Sequence, residues 1–192
     1  MQEIILIKNG ELALKGLNRA TFESVLVKNI KRRLRDLGHF VINRSQSTIT
    51  IEPTGSDFDT DEAVERLRRV FGIAAFQRAA AVEKRMDAIL ETASTYLRED
   101  LAGISAFKVE SKRSDKTFAL TSPEISREVG GKLLETFPHL HVEVHHPEKI
   151  VTVEVREHAA YIHCDQLKGA GGMPVGTGGK AMLLISGGID SP

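Results

Sequence analysis

The first third of the chain shows a strand pattern, a long helical pattern and then a hairpin pattern. The apolar run within Glu3–Lys8 predicts a strand. An apolar stripe with helical spacing then predicts a helix that Asn18 caps, that extends to Leu37 and that Gly38 ends. Lysine and arginine residues occupy most of the other face of this helix, so its outer surface is locally basic.

Apolar and polar residues then alternate in His39–Asn43 and in Thr48–Glu52, and the polar turn between these two segments predicts a hairpin. Asp59 with Glu62 three positions later predicts the start of a second helix, and Gly72–Val82 supplies a closing strand. The order strand-helix-strand-strand-helix-strand is typical of the ferredoxin-like fold. That fold serves many functions, so it says little about chemistry.

A second α/β unit follows. A helix begins near Met86, Ser105–Ser111 predicts a strand, and the basic stretch Lys112–Lys116 is interpreted as a loop. Thr121 with Glu124, or Ser122 with the following proline, predicts a capped helix start. Further strands are predicted at His141–His145, Ile150–Arg156 and Ala159–Cys164.

The last stretch predicts a phosphate-binding loop. Gly169–Lys180 is rich in glycine and is predicted to be a mobile linker, because ordering glycine costs the most backbone entropy. The apolar run Ala181–Ile185 predicts a buried strand, and Ser186–Ser191 follows it as SGGIDS. Glycine N–H groups and serine hydroxyls are suited to holding an anion. The Walker spacing fails at Lys180, and the dinucleotide fingerprint precedes a strand instead of following one.

Composition narrows the class of protein. The 192 residues carry 26 basic and 26 acidic side chains, so only local basic patches could attract nucleic acid. A single cysteine excludes an internal disulfide framework. No apolar run reaches membrane-spanning length and no basic signal region precedes the first strand, so we expect a cytoplasmic protein without a membrane contact.

Five short motifs follow one another along the chain: GLNR at Gly16–Arg19, VFGI at Val70–Ile73, LTSPE at Leu120–Glu124, HCD at His163–Asp165 and GAGGMPVG leading into SGGIDSP. These motifs, in this order, resemble the tRNA 4-thiouridine synthetase family over essentially the whole chain. The resemblance implies a mixed α/β fold: a ferredoxin-like βαββαβ domain over 1–76, a THUMP RNA-binding domain over 77–168, a linker over 169–180 and the start of a Rossmann-like pyrophosphatase-loop ATP domain over 181–192.

The resemblance also implies an activity for the full-length protein. Members of this family use ATP to adenylate uridine at position eight of tRNA and replace its oxygen with sulfur relayed from a persulfide-carrying cysteine desulfurase. Some members also serve thiamine synthesis, and the resemblance leaves a homodimer open. The chain contains only one strand and one loop of the ATP domain, so the 192-residue piece alone is expected to be inactive.

ATP contacts are expected at the end of the chain. Family analogy places Leu183 and Leu184 near the adenine, while the pyrophosphate would be held by Ser186, Gly187, Gly188 and Ser191. Asp190 corresponds to an essential family residue. Its carboxylate would link the phosphates through Mg²⁺ or order the loop, and an equally simple role is capping a following helix.

RNA contacts are expected from basic residues beside irregular backbone. The first candidates are Lys112, Arg113 and Lys116, with Arg127 one turn into the next helix, whose N-terminus could also accept a phosphate. Lys15 and Arg19 are candidates for the acceptor stem. The basic face of the first long helix, over Lys28–Arg35, is a weaker candidate because basic helices are often only solvated.

No metal site is predicted, although four histidines occur at His139, His141, His145 and His146, because no cysteine or carboxylate completes a tetrahedral set. Cys164 is predicted to be a small buried hydrophobe. Two other functions stay open. One is a stand-alone THUMP RNA-binding module without catalysis. The other is a small-molecule ATP pyrophosphatase, although such enzymes do not require two α/β units before the phosphate loop.

Overall fold

The computed structural model of the chain describes residues 1–8, 10, 16–45 and 48–182. Nine β-strands and five α-helices occur in this described part. The strands are β1 (Gln2–Lys8), β2 (Phe40–Ser45), β3 (Thr48–Pro53), β4 (Ala75–Val82), β5 (Ala106–Arg113), β6 (His141–Val142), β7 (Lys149–Val155), β8 (Ala160–His163) and β9 (Leu167–Lys168). The helices are α1 (Arg19–Leu34), α2 (Thr60–Leu67), α3 (Met86–Tyr96), α4 (Arg98–Ala102) and α5 (Ser122–Thr136).

The first unit is a ferredoxin-like arrangement of β1 to β4 with α1 and α2. Its antiparallel strands lie in the order β2-β3-β1-β4, and Ile5 lies opposite Ile51 while Ile7 lies opposite Phe76. Because side chains alternate along a strand, these residues share the face that buries the apolar sides of both helices. The predicted hairpin pairs Phe40–Ser45 with Thr48–Pro53. The fold predicted for this unit is confirmed.

The helix ends follow the local signals only in part. α1 begins after Asn18, but the Asn18 side chain makes no capping hydrogen bond. The helix ends at Leu34, although Leu37 stays buried and its N–H donates to the Leu34 carbonyl at 3.0 Å. α2 begins as predicted, since the Asp59 carboxylate accepts a hydrogen bond from the Glu62 N–H at 2.9 Å.

The second unit covers one side of β5, β7 and β8 with α3 and α5. β5 runs parallel to β7, with Lys112 opposite Glu154, and parallel to the short edge strand β6. The strand predicted over His141–His145 is only two residues long. The Glu143 carboxylate accepts the N–H of His145 at 2.8 Å, and this turn ends the strand.

One continuous sheet joins the two units, because the end of β4 pairs with β8, Ala80 opposite Ile162. The helices cover one face of the sheet. The other face is also largely buried in its centre, where Ile4, Leu6 and Ala79 form a small cluster and Gln77 is fully buried. The sheet curls around this second face, because Ser45 and Thr48 near one end of it line the same cavity as Lys112 and Arg156 near the other end.

The glycine-rich segment after β9 is docked on the first unit, which differs from the mobile linker predicted. The N–H of Gly169 donates to the Ala74 carbonyl at 3.0 Å, and the N–H of Gly72 donates to the Gly171 carbonyl at 2.8 Å. Asn29 of α1 donates to the Val175 carbonyl at 3.0 Å. Glycine is needed at position 169 because a Cβ there would lie 2.2 Å from the Ile73 carbonyl oxygen. These glycines therefore permit close backbone approach.

Candidate nucleic-acid interface

The basic stretch predicted to be a loop is partly strand. Lys112 and Arg113 are the last two residues of β5 and lie in register with Glu154 and Val155 of β7. Neighbouring residues of a strand point to opposite faces, so the Lys112 and Arg113 side chains extend from opposite faces of the sheet. Lys112 lies on the curled face, which also carries Glu154, and its side chain is exposed. The loop predicted over Lys112–Lys116 is therefore wrong for Lys112 and Arg113, which belong to β5.

Arg113 is occupied by contacts within the protein. Its Nη1 donates to the Phe118 carbonyl at 2.8 Å and to the Leu120 carbonyl at 3.1 Å. These two bonds hold the loop 114–121 against the end of β5. Arg113 therefore positions this loop, while its positive charge is not cancelled because both acceptors are neutral.

A second contact fixes the same loop. The Lys84 ammonium, two residues after β4, donates to the Asp115 carboxylate at 2.6 Å. Asp115 also accepts the Thr117 N–H at 2.9 Å and the Thr117 hydroxyl at 2.6 Å. The hydrogen bond from Lys84, followed by those from Thr117, holds the pKa of Asp115 well below its usual range. The loop is thus closed by bonds at both of its ends.

The loop leads into α5, whose start has the predicted capping box. The Glu124 carboxylate accepts the Thr121 N–H at 2.7 Å and its hydroxyl at 2.6 Å. These bonds, with the charges of Arg127 and Arg113, lower the pKa of Glu124. A carboxylate at this helix end adds negative charge where the predicted phosphate contact would lie. RNA phosphates are therefore more readily bound by the side chains around the helix start than by the backbone N–H groups of the helix.

Three exposed cations surround this rigid loop: Lys112, Lys116 and Arg127. Within the described part of the chain, no carboxylate forms an ion pair with any of them. Exposed lysine and arginine side chains without an internal partner are free to contact phosphates. The contacts of Arg113, Lys84 and Asp115 fix the loop that carries Lys116, while Lys112 lies on β5 and Arg127 on α5. This arrangement suits a single-stranded nucleic acid, which is bound by phosphate contacts beside fixed backbone.

The other predicted site residues contribute less. Arg19 begins α1, and its Nε donates to Glu23 at 2.6 Å, so much of its charge is compensated. Lys15 lies outside the described residues. The same holds for the predicted phosphate loop, namely Leu183, Leu184, Ser186, Gly187, Gly188, Asp190 and Ser191.

His139 and Cys164 are held by structural contacts. His139 bonds the Leu101 carbonyl at 3.1 Å, and in the described residues no group of three or more His, Cys, Asp or Glu side chains is arranged to hold a metal ion. Cys164 is half-buried against the second core, and this burial raises the pKa of its thiol. Where the chain is described, none of its helices combines the length and the apolar character needed to cross a membrane.

Two family models match the chain. The model of the ThiI ferredoxin-like domain matches residues 4–77, and the model of the THUMP domain matches residues 83–165. A probable tRNA sulfurtransferase of Alkaliphilus metalliredigens is 45% identical over 194 aligned residues, which include all of this chain. The chain therefore belongs among the proteins that carry a ThiI ferredoxin-like domain followed by a THUMP domain. It spans about half the length of the curated relatives it matches, 49% in the Alkaliphilus case.

Solved structures agree with this membership. A 4-thiouridine synthetase crystallised with RNA and bound ATP superposes with a TM-score of 0.85 and 33% identity, over 100% of this chain and 48% of that chain. PH1313 from Pyrococcus horikoshii superposes with a TM-score of 0.78 and 27% identity, over 92% of this chain and 58% of that one. The ferredoxin-like and THUMP architecture expected from the sequence is thereby confirmed.

Proposed function

We propose that the chain is the tRNA-binding part of an ATP-dependent tRNA uracil 4-sulfurtransferase. The observation that carries this proposal is the set of exposed cations Lys112, Lys116 and Arg127 around a loop fixed by internal bonds, on a THUMP domain. Its support is the superposition of the whole chain on a 4-thiouridine synthetase whose crystals contain RNA and ATP.

The ligand of this surface is the single-stranded 3′ end of tRNA with the adjoining stem. Lys112, Lys116 and Arg127 contact phosphates, whereas Arg113 keeps the loop in the shape that presents them. A rigid loop loses little conformational entropy on binding, so more of the contact energy appears as affinity. Stem contacts by Lys15 and Arg19 stay part of the proposal, with Arg19 the weaker because of its bond to Glu23.

The chemistry proposed for the full-length protein takes place at the phosphate loop. Uridine O4 at position eight is a poor leaving group, and ATP would activate it by adenylation with release of pyrophosphate. The terminal sulfur of a persulfide, supplied by a cysteine desulfurase, would then displace AMP at C4, and a second thiol would cleave the resulting disulfide to leave 4-thiouridine. Ser186, Gly187, Gly188 and Ser191 offer hydroxyl and N–H donors for the pyrophosphate, with Leu183 and Leu184 beside the adenine. Asp190 would hold Mg²⁺ or order the loop.

Binding of RNA by this chain is tested by fluorescence anisotropy with intact tRNA and with tRNA lacking its unpaired 3′ nucleotides. The intact tRNA should bind more tightly, and log affinity should fall linearly with log salt, by about 0.7–0.9 per neutralised phosphate. Lys112→Ala should flatten this slope by about one contact. Lys132→Ala is the matched control, because Lys132 lies on α5 but pairs with Glu135 at 3.6 Å. Equal affinity for both RNAs, together with an unchanged affinity and salt slope in Lys112→Ala, would show that RNA binds elsewhere on the chain.

Catalysis is tested in the full-length protein by mass spectrometry of nucleosides from tRNA treated with ATP and a persulfide donor. The formation of 4-thiouridine should require ATP, and Asp190→Ala should abolish it while tRNA binding persists. Binding without any 4-thiouridine in the wild-type reaction would favour the alternative, an RNA-binding module without catalysis.

A further inference from the structure

Two of the short sequence motifs meet on the surface of the first unit. Residues 70–73 follow α2, and residues 172–176 belong to the docked glycine segment. Pro174 is buried at this contact, where a Cβ on Gly72 would lie 2.7 Å from Pro174 Cγ. The neighbouring apolar side chains are exposed instead, Phe71 by 53% and Val175 by 61%. We call the surface around Phe71 and Val175 the Phe71 patch.

Hydrogen bonds hold the exposed Val175 in a fixed turn. Asn29 of α1 donates to the Val175 carbonyl at 3.0 Å. The Thr177 hydroxyl and N–H donate to the Pro174 carbonyl at 2.8 and 3.2 Å. Gly176 has a φ of 100° within this turn, which glycine adopts without strain. Because Val175 is already ordered, a partner that covers it loses little affinity to conformational entropy.

Three arginines surround the Phe71 patch. Arg32 and Arg33 of α1 and Arg69, just after α2, line a cavity of about 260 Å³ together with Phe71 and Val175. All three arginines are exposed, and in the described part of the chain none of them forms an ion pair with a carboxylate. The patch therefore combines an apolar centre with available positive charge.

The carboxylates beside these arginines are bonded to a different arginine. Asp36 and Glu62 share an adjoining cavity of about 420 Å³ with the three arginines of the patch. Arg66 donates to Asp36 at 2.6 Å and to Glu62 at 2.8 Å, so its charge is the one that these carboxylates compensate. The charge of the patch is left for a partner.

The mixture of groups in the patch indicates a protein partner. Aromatic and arginine side chains are enriched at protein interfaces whereas lysine is depleted, and the cavity beside Phe71 is lined by arginines without a lysine. Phe71 and Val175 can bury an apolar side chain of the partner. The complementary surface carries carboxylates around that side chain, because opposite charges face each other across an interface.

We propose that the Phe71 patch is the docking surface of the protein that supplies sulfur, and that carboxylates of this protein pair with Arg32, Arg33 and Arg69. The inference rests on the proposed function, in which the persulfide carrier and tRNA must be bound at the same time. The two partners need separate surfaces, and the patch contains none of the cations assigned to RNA in the second unit.

The position of the patch along the chain suits this role. Val175 is seven residues before Met182, and the predicted phosphate loop follows in the sequence. A short connection keeps two sites at a high effective concentration. A sulfur donor held beside Val175 is therefore tethered close to the part of the full-length protein that would bind ATP.

The test measures 4-thiouridine formed by the full-length protein with tRNA, ATP and either of two sulfur sources. A cysteine desulfurase with cysteine must dock, whereas sodium sulfide needs no docking surface because hydrosulfide can displace AMP at C4 directly. Arg33→Glu should lower the desulfurase-supported rate about tenfold, since a carboxylate would then face carboxylates. Phe71→Ser should also lower this rate, because it removes the apolar centre. Both variants should keep the wild-type rate with sulfide.

Lys31→Glu is the matched control. Lys31 lies in the same last turn of α1 as Arg33, so both charge reversals have the same effect on the helix dipole. At about 100° per residue, Lys31 lies about 200° around the helix from Arg33 and faces away from the patch. Both rates should match the wild type in this variant. Melting temperatures check that every variant is folded.

Docking is followed directly by hydrogen exchange. Adding the desulfurase to the full-length protein should protect the amides of residues 70–73 and 175–177. If these amides are already protected in the full-length protein alone, relative to the 192-residue chain, the remainder of the protein covers the patch and the proposal is wrong.

The remaining outcomes separate the proposal from the proposed function. Arg33→Glu should bind tRNA with wild-type affinity; weaker tRNA binding, or an equal loss of rate with both sulfur sources, would show that the patch serves RNA or the reaction itself. An unchanged desulfurase-supported rate in Arg33→Glu would also overturn the docking surface while the proposed function stands. If the wild type forms no 4-thiouridine from either source, the proposed function itself fails.

Discussion

The Lys84 ammonium bonds the Asp115 carboxylate at 2.6 Å and thereby ties the loop after β5 to the chain that leaves β4. The two residues are 31 positions apart, and the side chains are largely shielded, with 30% and 12% exposed. Because Arg113 holds the other end of the loop, the pair completes the set of contacts that fix the loop carrying Lys116.

Asp115→Asn should loosen this loop and weaken RNA binding. The substitution keeps the size of the side chain but removes the charge that bonds Lys84, so the loop loses one of its two anchors. We expect a several-fold loss of affinity for tRNA with an almost unchanged salt slope, since no phosphate contact is removed. Hydrogen exchange of residues 114–121 should rise in parallel.

Glu83→Gln is the control for this change. Glu83 is the neighbour of Lys84, is 75% exposed and pairs only locally with Arg85. An exposed pair of this kind contributes little, so RNA affinity and loop exchange should match the wild type. Unchanged exchange in Asp115→Asn would show that Arg113 alone is enough to fix the loop.

The same pair predicts a pH response. The folded-state pKa of Asp115 is lowered by Lys84 and then by Thr117. The bonds to the Asp115 carboxylate therefore stabilise the folded state fully above the ordinary pKa of 3.8, and this stabilisation is lost as pH falls through the lower folded-state pKa. Carbon-13 NMR of the Asp115 carboxyl should therefore show a midpoint below 3.8. In Lys84→Ala the midpoint should rise toward that value. A midpoint near 3.8 in the wild type would mean that the pair does not form in solution.

Sequence patterns predicted the parts of this structure that depend on neighbouring residues. The Asp59 cap and the box of Thr121 with Glu124 are confirmed, because their partners are three positions away and need no tertiary structure. The hairpin and the order of elements followed from the hydrophobic periods. The turn in which the Thr117 N–H donates to the Asp115 carboxylate could also have been predicted, because Asp favours a hydrogen bond to the backbone two residues later. The sequence analysis missed it.

Features that join distant parts of the chain could not be predicted. Lys112 was assigned to a loop because a polar run resembles one, whereas pairing with Glu154 of β7 extends the strand through it. The curl that brings Thr48 to Lys112 depends on the whole sheet. Docking of the glycine segment depends on the shape of the first unit around Ile73. The glycine content of residues 169–180 alone predicted a mobile segment.

Gly72→Ala should release the docked glycine segment. Gly72 has a φ of 100°, which disfavours any side chain, and a Cβ there would lie 2.7 Å from Cγ of Pro174. The strained backbone costs roughly 1–2 kcal/mol, and the clash pushes Pro174 away. Thermolysin, which cleaves before apolar residues, should then cut near Met173 faster than in the wild type.

Gly131→Ala is the matched control for that substitution. Gly131 is exposed within α5, and an added Cβ would meet nothing within 4 Å. Alanine favours a helix interior by about 1 kcal/mol, so this variant should be slightly more stable and should keep the wild-type cleavage rate near Met173. Equal cleavage in both variants would show that the segment does not depend on Gly72 for its docking.

Cys164 should react slowly with thiol reagents in the folded protein. Burial, followed by the nearby charge of Asp100, raises the pKa of its thiol, so almost no thiolate forms at neutral pH, and the thiolate is the reactive species. Alkylation by iodoacetamide at pH 7 should be much slower in the native chain than in the chain unfolded by urea. Because Cys164 is the only cysteine, the modified fraction can be read directly from the intact mass. Rapid modification of the native chain would contradict its burial and would make Cys164 a candidate for sulfur transfer.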